Sequence, residues 1–228
     1  MKSFGKIVIT IDGPAGTGKT TTARFLSQKL NLDYLNTGLM FRTIAWVIYS
    51  RKINVDNKEE LLKILRNLSF KFVNGKLLID NEEIPYNELL KPQIGKIASY
   101  IATFKEVREK LLEEQRKIIK ENQRGIVVEG RDIGTVVYPE ADVKIYLDAD
   151  IKVRAERRYN ELVKKGIKIS FEEVLNELES RDKLDKERKL APLRIPDGAI
   201  YINTTNLTLE EQLNKVLYEV CKRLNLEC

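Results

Sequence analysis

Apolar positions along this chain fall into two alternating kinds of run. Residues 6–11 (KIVITI), 126–129 (IVVE) and 143–147 (VKIYL) are short, rich in β-branched residues and nearly continuous in apolar character. That is the pattern of strands buried on both faces, and 200–202 (IYI) is of the same kind. Between them come longer stretches with helical spacing: 19–30, 38–51, 59–67 behind the cap signal of Asp56 and Asn57, and a long amphipathic run over 104–122 that stops near Gly125. Charged helices are predicted over 151–165, 171–188 and 208–224. Two further β-rich runs, 70–73 and 76–80, flank Asn74-Gly75, the strongest short hairpin signal. Strands alternating with helices predict an α/β fold, a parallel sheet with helices on both faces. Residues 38–100 interrupt the alternation and read as an α/β insertion carrying a small β element. No repeat or linker divides the rest, so a single domain over 1–228 is expected.

Composition narrows the chemistry. With 228 residues and 43% hydrophobic content, one domain can bury a substantial core. No apolar run approaches a membrane span and no charged-then-apolar leader opens the sequence, so a soluble cytoplasmic protein is expected. There is no histidine, which removes His-based triads, His metal ligands and imidazole proton shuttles. Cys221 and Cys228 read as one packed and one terminal thiol rather than a disulfide or metal site. The net charge of +6 arises from 40 basic and 34 acidic residues, most of them a solvated Lys/Glu surface. The excess is spread, without a basic tail or an aromatic-interleaved stripe, and so suits small phosphates better than a nucleic acid. A Lys/Glu-rich, His-free composition also points toward heat stability.

Gly13-Pro14-Ala15-Gly16-Thr17-Gly18-Lys19-Thr20 fits G-x-x-x-x-G-K-[ST], between a predicted strand and a predicted helix. Glycines let backbone N–H groups close around a phosphate, Lys19 neutralises β/γ charge, and the Thr20 hydroxyl suits Mg²⁺. Two classes of protein use such a loop: a small-molecule kinase, and a switch or motor NTPase that drives a partner. The nearest match to a guanine reader is Asp182-Lys183-Leu184-Asp185, with Asp in place of Asn and inside a charged helical stretch. The arginines favour the kinase, because a second anion held against ATP needs several fixed cations. Candidates are Arg42, Arg108, Arg131, Arg154, Arg157, Arg158, Arg181, Arg188 and Arg194. Arg154, Arg157 and Arg158 share one helical face, which reads either as a phosphate-facing set or as a solvated face paired with Glu156 and Glu161. Arg131 and Asp132 follow the strand ending in Glu129, where open α/β sheets bind ligands, and Glu129 suits a water on Mg²⁺.

Seven segments then resemble bacterial cytidylate kinases over the whole chain: IDGPAGTGKTT (11–21), LNTGLMFR (35–42), ASYIATFKEVRE (98–109), VVEGRDIGTVVYP (127–139), KIYLDA (144–149), RAERR (154–158) and SRDKLDKERKLAPL (180–193). The resemblance implies a nucleoside-monophosphate kinase with a core over 1–37, 101–150 and 168–228, a monophosphate-binding insertion over 38–100 and a short lid over 151–167. It places ATP on the loop through Thr21. It has Arg42, Arg131 and Arg188 clamp the CMP phosphate, while Asp132, Ser99 and Arg108 read cytosine. Arg181 and Asp185 would meet the sugar, Thr37 would lie beside the base or phosphate, and Arg154, Arg157 and Arg158 would form the lid. Lys19, Arg131, Arg157, Arg158 and Arg188 become the catalytic set, with Thr20 and Glu129 toward Mg²⁺. The family often has Ser at position 37 and Asp at position 129. The implied reaction is ATP with CMP or dCMP giving ADP with CDP or dCDP, by a monomer acting on no nucleic acid or membrane. A kinase for another acceptor such as UMP, or a regulatory or nucleic-acid-associated NTPase, remains the alternative.

Overall fold

The computed structural model describes residues 6–73, 76–164 and 166–227. They form two compact units, one of the described residues up to Tyr34 and from Arg124 onward, the other of residues 35–123.

The strands of the main sheet are β1 (Val8–Asp12), β2 (Asp33–Asn36), β5 (Ile126–Glu129), β6 (Val143–Asp148) and β7 (Ile200–Asn203), all in the first unit except the last two residues of β2. They form one sheet in the order β2-β5-β1-β6-β7. β1 runs parallel to both neighbours, so that Ile11 lies opposite Glu129 on one side and Ile145 on the other. All of β1 and β5 is buried, as expected of strands apolar on both faces. Flanking helices are α1 (Lys19–Leu30), α7 (Ile151–Lys164), α8 (Phe171–Glu187) and α9 (Leu209–Leu224). α1 and α9 lay Ala23, Leu26, Val216 and Val220 onto Ile9, Ile11, Val127, Ile145 and Leu147. α7 and α8 pack on each other through Ala155, Leu162, Val174 and Leu178, and the side chain of Ala15 joins that cluster.

Local signals explain where the helices start. Ser170 with Glu173, and Thr208 with Glu211, make reciprocal capping boxes at the starts of α8 and α9. α9 ends at Asn225 in the left-handed conformation, turning the chain so that the N–H of Leu226 donates to the carbonyl of Cys221. Cys221 is buried on α9, as expected of the packed cysteine of the pair. Cys228 and the turn residues Asn74 and Gly75 lie outside the described residues.

The second unit holds α2 (Thr37–Ser50), α3 (Lys58–Asn67), β3 (Phe70–Val73), β4 (Lys76–Ile79), α4 (Tyr86–Leu89), α5 (Pro92–Ile101) and α6 (Lys105–Glu121). β3 and β4 pair antiparallel, Phe70 opposite Ile79. α2 packs against α4, α5 and α6, and α6 also meets α3 and β3. The unit therefore runs past the 38–100 stretch read from the sequence, because α6 packs with these elements.

Ile145 is fully buried at the centre of the sheet. Ile145→Ala is expected to lower unfolding free energy by about 4 kcal/mol through lost apolar transfer and a residual cavity, as read from urea denaturation. A loss below about 1 kcal/mol would mean that the sheet is not packed on this residue.

Candidate active site

β1 delivers the chain into the glycine loop and α1 takes it out. Gly16 and Gly18 have φ of 80° and 85°, left-handed conformations that glycine adopts without steric cost. Lys19 is buried at the start of α1, its Nζ donating to the carbonyl of Pro14 at 2.5 Å, and the Thr17 hydroxyl donates to the same carbonyl at 3.1 Å. Burial, followed by the positive charge of Arg131, lowers the Lys19 pKa well below its ordinary value. One residue on, the Thr20 hydroxyl donates to Glu129 Oε2 at 3.2 Å, and the hydroxyl of Tyr34 donates to Glu129 Oε1. The carboxylate at the end of β5 therefore reaches the loop.

Asp12, the last residue of β1, has a role that the sequence did not reveal. It is fully buried, and its two oxygens accept the backbone N–H groups of Ile133 (2.9 Å) and Gly134 (2.7 Å). Those residues open a single π-type turn over Ile133–Val137, in which the N–H of Tyr138 donates to the carbonyl of Ile133. Burial raises the Asp12 pKa from 3.8 to about 6 against the lowering effect of the two N–H groups, with Asp132 raising it and Lys19 lowering it further. This carboxylate fixes the segment carrying Arg131 and Asp132 to the root of the phosphate loop.

Arg131, Asp132, Asp185 and Arg188 form one charged cluster, in which Asp132 is buried and the other three are half-buried. Arg131 Nε lies 2.9 Å from Asp185 Oδ2, Arg188 Nη1 is 3.3 Å from Asp185 Oδ1, and Arg188 Nη2 is 3.6 Å from Asp132 Oδ1. Arg188 Nε also donates to the carbonyl of Ala191 at 2.7 Å, which fixes the fork just beyond α8. Burial alone would raise Asp185, but Arg131, Arg181 and Arg188 outweigh it and hold its carboxyl below the ordinary value. Arg131 and Arg181 also depress Lys19, so the cluster and the loop feel each other's charge.

The three arginines of α7 go to different places. Arg154 is buried and donates to Ala149 O, Ala15 O and Asp182 Oδ2 at 2.9, 3.0 and 2.7 Å. Arg157 donates to the carbonyls of Thr204 (2.7 Å) and Leu207 (3.2 Å), and Arg158 pairs with Glu161 at 2.8 Å. Beside them, Asp148, Asp150, Asn203, Thr205 and Asn206 border a cavity of about 520 Å³ at the ends of β6 and β7. The Arg154 guanidinium links this edge, through Ala149, to the loop, through Ala15.

Four expected site residues belong to the second unit. Thr37 is buried at the start of α2, beneath an Asn36 side chain that caps the Leu39 N–H. Arg42 on α2 donates to the carbonyl of Leu89 at 2.7 Å. Arg108 on α6 donates to Ala102 O at 3.2 Å and lies 5.8 Å from the Phe41 ring centre. Ser99 is half-buried on α5.

A phosphate loop at the switch point of a five-stranded sheet, a strand-end carboxylate on the loop threonine and a half-buried arginine cluster define a P-loop phosphotransferase. Among solved structures, a shikimate kinase from Bacteroides thetaiotaomicron shares the fold alone, at TM-score 0.50 and 12% identity, covering 96% of this chain and 99% of its own. The chain belongs to the cytidylate kinase family, whose model matches residues 9–222. It is 48% identical to the cytidylate kinase of Thermosipho africanus over 96% of both chains. It is 42% identical to that of Thermotoga maritima, over 95% of this chain and 98% of the relative. The protein is an enzyme of the nucleoside-monophosphate kinase type.

Because folding raises the Asp12 pKa, the folded state binds the extra proton between about pH 4 and 6, and this group's contribution to stability falls as pH rises through that window. Comparison with Asp12→Asn isolates the effect. The stability advantage of wild type over the variant should be about 2 kcal/mol larger at pH 4.5 than at pH 7.5, as read from denaturation at each pH. A difference that does not change with pH would mean Asp12 keeps one protonation state throughout.

Proposed function

We propose that the protein transfers the γ-phosphoryl group of ATP to CMP and dCMP, giving ADP with CDP or dCDP. The carrying observation is the Arg131–Asp185–Arg188–Asp132 cluster, held in the same unit as the phosphate loop and electrostatically coupled to Lys19. A loop alone binds a nucleotide, whereas a loop coupled to further half-buried guanidiniums can hold two phosphates against each other. The names of the similar proteins supply cytidylate as the acceptor.

The acceptor oxygen is already anionic, so no side chain need remove a proton. Catalysis then rests on positioning, exclusion of water and neutralisation of the charge that spreads over the moving phosphoryl group. Lys19 would meet the β/γ oxygens, with the loop N–H groups and the N-terminus of α1 around the β-phosphate. Arg131 and Arg188, with Arg42, would grip the acceptor phosphate. Asp132, Ser99 and Arg108 would read cytosine, Arg181 and Asp185 the sugar, and Arg157 and Arg158 would close as a lid. The 520 Å³ cavity at the ends of β6 and β7 suits the nucleoside of ATP.

Mg²⁺ fits the donors present. The Thr20 hydroxyl and the Glu129 carboxylate lie 3.2 Å apart, and no cluster of three or more metal-binding side chains exists among the described residues. One hydroxyl and one carboxylate suit an ion that keeps waters and substrate oxygens as ligands. Bound there, Mg²⁺ would offset phosphate charge, with Thr20 as direct ligand and Glu129 through water. The described residues contain no helix long and apolar enough to cross a membrane. We further propose a cytoplasmic monomer.

ADP release measured across the common nucleoside monophosphates should require CMP or dCMP and ignore RNA and DNA. Lys19→Ala should reduce kcat by about 10³-fold or more while the fold persists. Transfer near the wild-type rate would remove the loop from the chemistry.

Asp132 tests the choice of base. A carboxylate accepts from the 4-amino group of cytosine and repels the 4-carbonyl of uracil, a discrimination of roughly 1–3 kcal/mol. Asp132→Asn should lower kcat/KM for CMP and shrink the CMP-over-UMP ratio at least several-fold. Its 3.6 Å pairing with Arg188 suggests the competing role, in which Asp132 only holds that arginine. Equal losses on both acceptors would favour that role.

A further inference from the structure

A loop that turns its N–H groups toward an anion turns its carbonyl groups the other way, and buried carbonyls need donors. Here those donors are identifiable. The carbonyl of Pro14 takes Lys19 and the Thr17 hydroxyl, both from the motif itself. Ala15 O instead takes Arg154 Nη1 from α7 at 3.0 Å, and Thr17 O takes Gln212 Nε2 from α9 at 3.2 Å. Gln212 is buried, and the same nitrogen donates to the Thr22 hydroxyl at 2.8 Å. Arg154 is anchored beyond the loop by Asp182 on α8 and by Ala149 O.

A second observation places the same two side chains against the loop. A Cβ built on Gly18 would fall 2.6 Å from Gln212 Nε2, and one built on Gly16 would fall 3.1 Å from the Cβ of Arg154. The motif's glycines thus answer to these neighbours as well as to their positive φ. Ala15, just before Gly16, packs its methyl group into the α7–α8 cluster.

We infer that Arg154 and Gln212 are positioning residues that preorganise the phosphate loop from its outer face and do not touch the nucleotide. Both work through backbone carbonyls, Arg154 with a planar fork that serves three acceptors and Gln212 with a neutral amide. The inference rests on the reading of this loop as the ATP site. It gives Arg154 a different task from Arg157 and Arg158. A lid arginine acts when the phosphoryl group moves, whereas a loop support already matters when ADP binds in the ground state.

The test separates these tasks by measuring ADP affinity and CMP affinity independently, each by titration calorimetry without the other. Gln212→Met keeps length and removes the donor, while Arg154→Lys keeps the charge beside Asp182 and loses the fork. Each is expected to weaken ADP binding about tenfold, the cost of an unsatisfied buried carbonyl, with CMP affinity within about twofold of wild type. Arg154→Lys losing kcat with ADP affinity intact would return Arg154 to the lid and overturn the inference for it. Wild-type ADP affinity in both variants overturns it altogether. So does equal loss of ADP and CMP affinity, or failure of both variants to fold, since either makes the side chains general supports. A wild-type chain that bound no ADP would instead remove the ATP reading, and this inference with it.

Discussion

The arrangement depends on one constraint: a backbone cannot offer its N–H groups to an anion without finding partners for the carbonyls it turns away. In water the partners would be solvent. In a buried loop they must be built, and an unmet carbonyl costs roughly 1–3 kcal/mol. The sheet supplies the position for those partners. Because β1 is central and buried, the loop that follows it is surrounded by α7 and α9 as well as by its own helix. A loop of this sequence on a sheet edge would have the same motif and fewer donors within reach.

The second constraint is charge. Lys19 and the guanidiniums of Arg131, Arg181 and Arg188 would repel one another in a low-dielectric interior. Acids are interleaved among them: Asp185 against two arginines, Asp132 against Arg188, and Asp12 near Lys19. Burial is the main cause of the depressed Lys19, and the charges of Arg131 and Arg181 that add to it also help hold the Asp185 carboxyl low against its own burial. Further negative charge, such as phosphate, relieves the repulsion. On the proposed function, the acceptor phosphate would supply that charge.

What the sequence made legible was local. The strands at 126–129 and 143–147 are short apolar runs, and 19–30 and 104–122 carry their helical period plainly. β2 escaped because Asp33, Tyr34, Leu35 and Asn36 are mixed in polarity, and only Leu35 is fully buried. α5 escaped because a proline opens it and a glycine interrupts it, while α4 is too short to show a period. In the site, the motif residues could be read from spacing, whereas Asp12 and Gln212 could not. Their partners lie more than a hundred residues away, so an Asp after a strand and a Gln on a charged helix look ordinary. A buried polar group at a predicted strand end was the available signal for Asp12. Gln212 offered none. The arginine triplet shows the converse, since one shared helical face in sequence became three separate environments in space.

The order of these parts along the chain has a consequence for synthesis. The phosphate motif is made before β7, which closes one edge of the sheet, and before α9, which carries Gln212. A nascent chain possesses every motif residue long before it possesses the groups that hold the loop's outer face. On the reading given to Gln212, the loop reaches its full affinity for nucleotide only once α9 has packed against it. An unfinished chain would then carry the phosphate signature with a weaker hold on the nucleotide.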